Sequence, residues 1–160
     1  MACNPDKYVG RDVIVEFVPE CFDTEPVSGW LRLGALRGKG LETSWETTDV
    51  TADDSPSNQT EELVTFVSTT LSLDGISRGA EVANQDTLED YVNNAAGAAN
   101  FQPKGWVRVT RPSQSGGNSS KIYTFPCLFT TFSIDAPYDG GVTYSCEVTS
   151  QGQVDISYVA

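Results

Sequence analysis

Hydrophobic and polar positions alternate along most of this chain, and that alternation is the pattern of β-strands. It covers residues 13–18, 30–37, 63–73, 106–111, 121–134, 142–149 and 153–159. The 121–134 segment has the length of two strands, with Pro126 predicted as a break or an edge position. The turn at 150–152 is predicted to join the last two strands as a hairpin. The prediction is a mainly β fold, with roughly seven or eight strands forming a β-sandwich or barrel-like body.

One segment, residues 86–97, has helical periodicity instead. Its apolar residues Leu88, Tyr91, Val92, Ala95 and Ala96 recur at the spacing of one helix face. Such a stripe is typical of core packing, because burial of the apolar face is what stabilises a short helix. A single flanking α-helix is therefore predicted to lie across one side of the sheet.

A long polar stretch, residues 38–62, separates the second strand segment from the third. Its only sizeable apolar residues are Leu41, Trp45 and Val50, so it is predicted to be a loop. Loops of this length are uncommon in compact domains and are usually functional or disordered. Trp45 argues against disorder, since a large exposed aromatic side chain needs a partner to cover it. The loop is predicted to complete its folding against another molecule.

Negative charge is concentrated in the same stretch. The net charge of the chain is −12, and no Lys or Arg lies between Lys39 and Arg78. The acids grouped here are Glu42, Glu46, Asp49, Asp53, Asp54, Glu61 and Glu62. Two interpretations are open: a solvated loop that keeps the protein soluble, or a contact surface. Adhesive binding to nucleic acid is disfavoured, because an acidic surface repels a phosphate backbone.

Length and cysteine spacing limit the remaining classes. The 160 residues are expected to form one domain, residues 1–160, and no apolar run reaches the length of about 18 residues that spans a membrane. The N-terminus does not have the pattern of a signal peptide, so a cytoplasmic site of synthesis is expected. An all-thiolate zinc site or disulfides would have to join four distant cysteines, Cys3, Cys21, Cys127 and Cys146. Cys127 and Cys146 are instead expected to be core residues.

Catalytic motifs are missing from the sequence. Without histidine there is no Ser-His-Asp or Cys-His relay, and there is no phosphate-binding loop or dinucleotide fingerprint. The remaining enzymatic alternative is a pair of carboxylates for glycoside hydrolysis, with Trp30, Trp45 or Trp106 as sugar platforms. Most acids lie in the predicted loop, which fits such a pair poorly. We predict a protein without enzymatic activity and without a cofactor.

The order of these parts resembles the tail tube, or major tail, proteins of long non-contractile phage tails (siphophages). The resemblance rests on GWLRLGALRGKG, the acidic SWETTDVT, the strand and turn TLSLDGIS, the helical LEDYV and a strand-rich C-terminal half, in that order. It covers most of the chain. It implies the tail tube β-sandwich, without the immunoglobulin-like domain that some relatives append.

The resemblance also implies a function. Such proteins are structural components of the virion that assemble in the host cytoplasm into hexameric rings, which stack into a conduit for DNA ejection. Implied partners are further copies of the chain, the tape measure, tail terminator and tail-tip proteins, and genomic DNA that passes without specific binding; no membrane is implied.

The implied assembly site is the 38–62 loop, which would reach the neighbouring ring. Its residues are Leu41, Glu42, Trp45, Glu46, Asp49, Asp53, Asp54, Glu61 and Glu62. The lumen-facing residues are not identified by the sequence. Two alternatives stay open: a β-sandwich binding or adhesion module for carbohydrate or protein, and another virion component such as a tail terminator or a capsid decoration protein.

Overall fold

A computed structural model describes residues 9–20, 23–93, 101–113 and 117–160. Over these residues the strands are β1 (Ile14–Val18), β2 (Leu31–Arg32), β3 (Leu36–Asp49), β4 (Glu62–Ile76), β5 (Lys104–Pro112), β6 (Ser120–Asp135), β7 (Thr143–Ser150) and β8 (Asp155–Val159). The helix α1 (Gln85–Val92) follows β4, and short 3₁₀ turns occupy Gly10–Asp12, Pro56–Asn58 and Glu81–Ala83. The prediction of a mainly β fold with one helix is confirmed.

The strands form an antiparallel sheet in the order β2-β1-β5-β6-β7-β4-β3. The long strand β6 pairs with β5 along one edge, while its other edge pairs first with β8 and then with β7. The core brings the two halves of this sheet face to face, since Phe17 and Val107 belong to the same buried cluster as Leu71 and Val148. The sheet therefore closes over itself along β6, as expected of a sandwich or barrel-like body.

The helix α1 closes one side of this body. Leu88 is buried in the core, and the ring of Tyr91 packs edge-on against Phe129 with centroids 6.0 Å apart. Phe129 also meets Phe17 edge-on at 6.2 Å, so the helix and both halves of the sheet share one aromatic cluster. The predicted packing of the helix against the sheet is confirmed. The predicted C-terminal part of the helix falls largely on residues 94–100, which lie outside the described residues.

Of the two predictions for Pro126, the break is wrong, because β6 runs without interruption past this residue. Pro126 lies opposite Trp106 in the ladder with β5. On the other edge of β6, pairing with β8 ends at Thr124 and pairing with β7 starts at Cys127. The missing N–H of proline therefore falls at the junction between two neighbouring strands, where no ladder bond is lost.

The predicted hairpin between the last two strands is also wrong. The structure pairs β8 with β6 over Ser120–Thr124, and β7 with β6 and β4. The backbone N–H of Gln151 donates to the carbonyl of Pro126 at 2.8 Å, so the chain continues along the same edge of β6 from β7 to β8. The sequence predicted β8 as a strand from its alternating side chains. Its pairing partner could not be predicted in the same way, because β6 is long enough to pair with both β7 and β8.

The predicted strand at 30–37 is interrupted at residues 33–35. Ala35 has a positive φ of 57°, and the backbone N–H of Gly34 donates to the carbonyl of Ala83 at 2.9 Å. A Cβ atom on Gly34 would lie 3.0 Å from the Cα of Ala83, so the two backbones approach closely at this glycine.

The predicted loop at 38–62 is wrong over its first half. Residues 38–49 belong to β3, which pairs with β4 from Leu36↔Gly75 to Asp49↔Glu62, so only residues 50–61 connect the two strands. The segment had no apolar alternation because its outer part has no buried face. A long β-hairpin stands in place of the predicted loop.

Candidate assembly interface

The β3–β4 hairpin extends beyond the body of the protein. Strand β7 accompanies β4 only as far as Thr70↔Thr149, and the described residues provide no third strand beside the hairpin beyond that pair. We call residues 41–68 the outer hairpin. Hydroxyl pairs lie across this ladder, at 3.2 Å between Thr43 and Thr69 and at 3.0 Å between Ser44 and Ser68. Such cross-strand pairs and the β-branched residues of the segment favour a strand where no core does.

Large apolar side chains on the outer hairpin are exposed. The exposed fraction is 62% for Trp45 and 71% for Phe66. Leu41, Leu63, Val64 and Val67 are also exposed. Trp45 lies opposite Val67, whereas Phe66 lies opposite Glu46 on the other face of the ladder. Apolar residues concentrated on one projection mark an interaction surface rather than ordinary surface variation.

Hydrogen bonds order the tip of the hairpin. Val50 donates its N–H to the carbonyl of Glu61 at 2.9 Å, and Glu61 donates its own N–H to Thr51 Oγ1 at 2.9 Å. Ser55 Oγ donates to Glu61 Oε2 at 2.9 Å. Thr51 donates its N–H to Asp49 Oδ1 at 2.8 Å, and hydrogen bonds from Thr51 lower the pKa of the Asp49 carboxyl below its usual value. The tip is thus a fixed turn that carries ionised carboxylates.

The structure places all nine predicted site residues on this one projection. Leu41, Glu42, Trp45, Glu46 and Asp49 lie on β3, Asp53, Asp54 and Glu61 lie in the tip, and Glu62 begins β4. They do not form one cluster, because strand alternation sends Leu41 and Trp45 to one face and Glu42 and Glu46 to the other. The apolar and acidic residues of the predicted site on β3 therefore face opposite sides of the ladder.

A groove of about 690 Å³ lies between the outer hairpin and the body. Leu41, Trp45 and Val67 line it on the hairpin side. Tyr123, Val154 and Ile156 line it on the body side, at the open end of the core. The sequence pattern did not identify this body side, since β8 was predicted to pair with β7. The groove extends the apolar surface of the hairpin onto the body.

The face of β4 and β7 that points away from the core is hydrophilic. Ser72 and Asp74 alternate with buried Leu71 and Leu73, and Glu147 is exposed between buried Cys146 and Val148. Cross-strand register continues the face onto β6, where Ser133 lies opposite Ser145 with their hydroxyls 2.6 Å apart. We call this surface the polar face; its carboxylates are Glu42, Asp74, Asp135 and Glu147. Its alternation was visible in the sequence, but the orientation of the sheet was not.

Both lateral ends of this part of the sheet are unpaired in the described structure. β3 is the last strand and pairs only with β4. At the other end, β6 pairs with β7 through Asp135, whereas its pairing with β5 stops at Leu128. Each end therefore presents backbone N–H and C=O groups that a further strand could bind.

Polar side chains that are buried or half-buried hold the root of the hairpin. Gln85 Nε2 donates to the carbonyls of Gly34 and Ile76, each at 3.0 Å. Tyr144 donates its hydroxyl to Gly34 O at 2.9 Å. Lys39 Nζ donates to the carbonyls of Gly10, at 2.9 Å, and Val13. The sequence analysis identified none of these three anchors, because an isolated Gln, Tyr or Lys gives no periodic signal.

Chemistry-bearing groups are sparse in the described residues. They contain no cluster of three or more Cys, Asp or Glu side chains that could hold a metal ion. Cys127 and Cys146 are unbonded core thiols, and burial raises the pKa of both. Cys3 and Cys21 lie outside the described residues. In the same part of the chain, no helix has the length and apolar character needed to cross a membrane.

A compact β body with a projecting apolar hairpin and unpaired sheet edges defines a protein built for assembly. The phage tail tube protein family matches residues 9–155, and this chain belongs to that family. Its members are components of virion tails, and the resemblance found in the sequence is confirmed. A search of curated protein sequences gave no significant match.

Solved structures with the same fold come from a tail, a tail tube and a baseplate. A subunit of the tail of an empty gene transfer agent particle, refined with C6 symmetry, is 18% identical, with a TM-score of 0.64 over 96% of this chain and 100% of that chain. The SPP1 tail tube protein is 13% identical, with a TM-score of 0.69 over 96% of this chain and 81% of that one. A protein of the anti-feeding prophage baseplate is 14% identical, with a TM-score of 0.62 over 96% and 97%.

Proposed function

We propose that this chain assembles into hexameric rings that stack into the tube of a phage tail, through which DNA passes. The observation that carries the proposal is the outer hairpin, whose Trp45 and Phe66 are exposed on a segment where β7 no longer accompanies β4. Six-fold symmetry is supported by the gene transfer agent tail, which shares the fold. A non-enzymatic role follows from the structural family.

Lateral closure of a ring uses the unpaired edges. The β3 edge and the edge of β6 beyond Leu128 lie at opposite ends of the β3–β4–β7–β6 sheet. If the β3 edge of one copy pairs with the β6 edge of the next, the sheet continues from subunit to subunit. Repetition around a closed ring leaves no edge exposed, which removes the aggregation hazard of long bare strands.

Ring stacking uses the outer hairpin. Its ladder extends from the body by about 25 Å, given the rise of about 3.3 Å per strand residue. The apolar side chains around Trp45 would be covered by a subunit of the adjacent ring. Burial of the exposed part of one tryptophan contributes about 3 kcal/mol at the usual value per unit area. Repeated once per subunit, contacts of this size make stacking cooperative.

The polar face would line the lumen. The polar face has no Lys or Arg on β4, on β7 or on β6 beyond Leu128, and its exposed carboxylates are Glu42, Asp74, Asp135 and Glu147. Carboxylates repel the DNA backbone and offer no cation to replace its counterions, so DNA would slide without adhering. Tape measure, tail terminator and tail-tip proteins are the further partners that this role requires.

A hairpin truncation tests the proposal. The variant replaces residues 45–67 with an Asn-Gly turn between Ser44 and Ser68. Since these two serines are partners in the ladder, the register of the remaining strands is kept. We expect the wild type to form tubes in negative-stain micrographs, and the truncated variant to stay folded by circular dichroism and to form none. Tubes of normal length from the truncated variant would contradict the role of the hairpin. A wild type that stays monomeric at high concentration would contradict the function.

A further inference from the structure

A cationic cleft lies at the root of the hairpin, at the opposite end of the ladder from the tip. Its volume is about 180 Å³, and Arg11, Arg32 and Lys39 line it together with small and apolar residues between Val13 and Leu36. The chain has only ten Lys and Arg residues against 22 acids. Three cations in one cleft are therefore a marked departure from the charge of the molecule as a whole.

None of these three cations forms an ion pair within the described structure. Arg11 and Arg32 are exposed and form no ion pair with the residues described. Lys39 donates to two backbone carbonyls, which carry no full charge. Burial and then the charge of Arg32 lower the pKa of Lys39, and only Asp12 acts in the opposite direction. The cleft therefore keeps an excess of positive charge. The carboxylates near it are Asp12 and Glu16; Glu16 lies opposite Arg32 in the ladder and is paired with Arg108.

The tip of the hairpin has the complementary property, an excess of negative charge. Asp49 lies directly opposite Glu62 in the ladder, and like charges in such a pair destabilise a hairpin. Asp53 and Asp54 are exposed and make no hydrogen bond or ion pair with described residues. The tip therefore gathers five carboxylates of residues 49–62 with no cation of the same segment to offset them.

The tip and the cleft cannot meet within one molecule. Lys39 and Asp49 lie on the same strand, and β3 is paired with β4 along its whole length. Ten residues of strand separate them by about 33 Å. A contact between the two surfaces requires a second copy displaced along the axis of the hairpin. Because the surfaces differ, the contact is head-to-tail and repeats without closing, as in a filament.

We propose that the acidic tip of one copy docks into the Arg11–Arg32–Lys39 cleft of a copy in the next ring, and that this charge contact sets the direction of stacking. The proposal rests on the tube-forming function and adds to it the partner surface for the tip. The apolar groove beside Trp45 supplies buried area in the contact between rings, whereas the charged contact fixes the register and orientation of the two copies. Apolar and charged parts of an interface usually have these two roles.

Charge reversal with rescue tests the docking. The tip variant is D53K/D54K, the cleft variant is R11E/R32E, and the third variant combines both pairs. Lys39 is left unchanged because it holds the hairpin root. We expect each single reversal to lower the sedimentable fraction at least about tenfold, and the combined variant to recover most of it, because attraction returns with opposite sign. Mixing the two single-reversal proteins should also restore tubes.

Two controls test the effect of charge reversal elsewhere on the surface. E81K and R78E each reverse one charge at an exposed position outside the tip and the cleft, which shifts the net charge in the same direction as the tip or the cleft variant by half as much. We expect both to form tubes like the wild type. Urea unfolding checks that each variant is folded. If R11E/R32E does not fold, R11Q/R32Q replaces it, and a loss of tubes is still expected.

The outcomes separate the two proposals. Normal tubes from the wild type and from both reversal variants would overturn the docking and leave the function intact. Loss of tubes without recovery in the combined variant would also overturn it, because the two surfaces would then have other partners. Absence of tubes from the wild type would overturn the function and the docking together. Recovery by charge exchange supports both.

Discussion

The side chain of Gln85, at the first turn of α1, donates to the carbonyl of Gly34 at 3.0 Å, across the root of the β3–β4 hairpin. The same nitrogen donates to Ile76 O, and Oε1 accepts the backbone N–H of Arg78 at 2.8 Å. Gln85 is buried, and its amide is the side-chain partner of Ile76 O and of the Arg78 N–H, whereas Gly34 O also accepts the hydroxyl of Tyr144. One side chain thus joins the helix to both strands of the hairpin.

We expect Gln85→Leu to lower the free energy of unfolding by about 2–3 kcal/mol, because it leaves buried backbone groups without a hydrogen-bond partner. The measurement is the urea midpoint, with Gln102→Leu as the control. Gln102 is exposed, so its substitution should change stability by no more than about 0.5 kcal/mol. Equal midpoints for the two variants would show that water replaces the amide at the hairpin root.

We expect Trp45→Ala to impair assembly and to leave the monomer stable. In the monomer this side chain is 62% exposed, so its truncation should cost less than about 0.5 kcal/mol of unfolding free energy. Assembly should weaken by about tenfold or more, since each subunit loses an apolar contact with its neighbour. The measurements are thermal unfolding below the assembly concentration and the critical concentration for tube formation.

The control for that experiment is Phe17→Ala. Phe17 is fully buried, and its truncation should cost about 3–5 kcal/mol in the monomer. The two aromatic residues should therefore separate stability from assembly. A large loss of monomer stability in Trp45→Ala would place this tryptophan in the fold rather than at an interface.

The sequence predicted the buried strands and the helix well, because their side chains follow the period of the element and have one buried face. Leu71 and Leu73 on β4 are of this kind. Residues 38–49 do not follow such a period, since an exposed strand held by cross-strand hydroxyl pairs has no buried apolar face. For that reason a hairpin was mistaken for a loop, although the segment and its acidic residues were identified.

Partners that are distant in sequence were harder to predict. The position of Pro126 at the junction of β7 and β8 depends on how far each neighbouring strand extends along β6. The cationic cleft joins the 3₁₀ turn, β2 and the root of β3, which the sequence separates by up to 28 residues between Arg11 and Lys39. No local sequence pattern predicts that these three segments lie together.

We expect positive charge on the polar face to make assembled tubes retain DNA. In the variant E147K/D135K, two exposed carboxylates of this face become ammonium groups that can displace counterions from DNA. Linear DNA should sediment with these tubes at low salt, and retention should fall at least about tenfold as salt rises from about 50 to 200 mM. Wild-type tubes and tubes of Glu81→Lys should retain none. Equal retention by all three would place the polar face outside the lumen.

We expect stability to fall as pH rises above about 9, in part through the buried thiol of Cys146. Burial, and then the charge of Glu147, raise the pKa of this thiol from its ordinary 9.0 to about 12. Between these values the unfolded chain releases a proton that the folded chain keeps, so the unfolded state gains stability with pH. One such thiol contributes a loss of about 1.4 kcal/mol per pH unit.

The test compares the wild type with Cys146→Ala by urea unfolding at several pH values from 8 to 10.5. At pH 8 the alanine variant should be the less stable of the two, because it leaves a cavity in the core. The difference should shrink by about 2 kcal/mol as pH rises to 10.5, since the variant has no thiol to ionise at this position. Tyr144, whose pKa is also raised by burial, is present in both proteins and cancels in the comparison. Parallel stability curves would mean that Cys146 ionises as easily in the folded protein as in the unfolded chain, and that solvent reaches this part of the core.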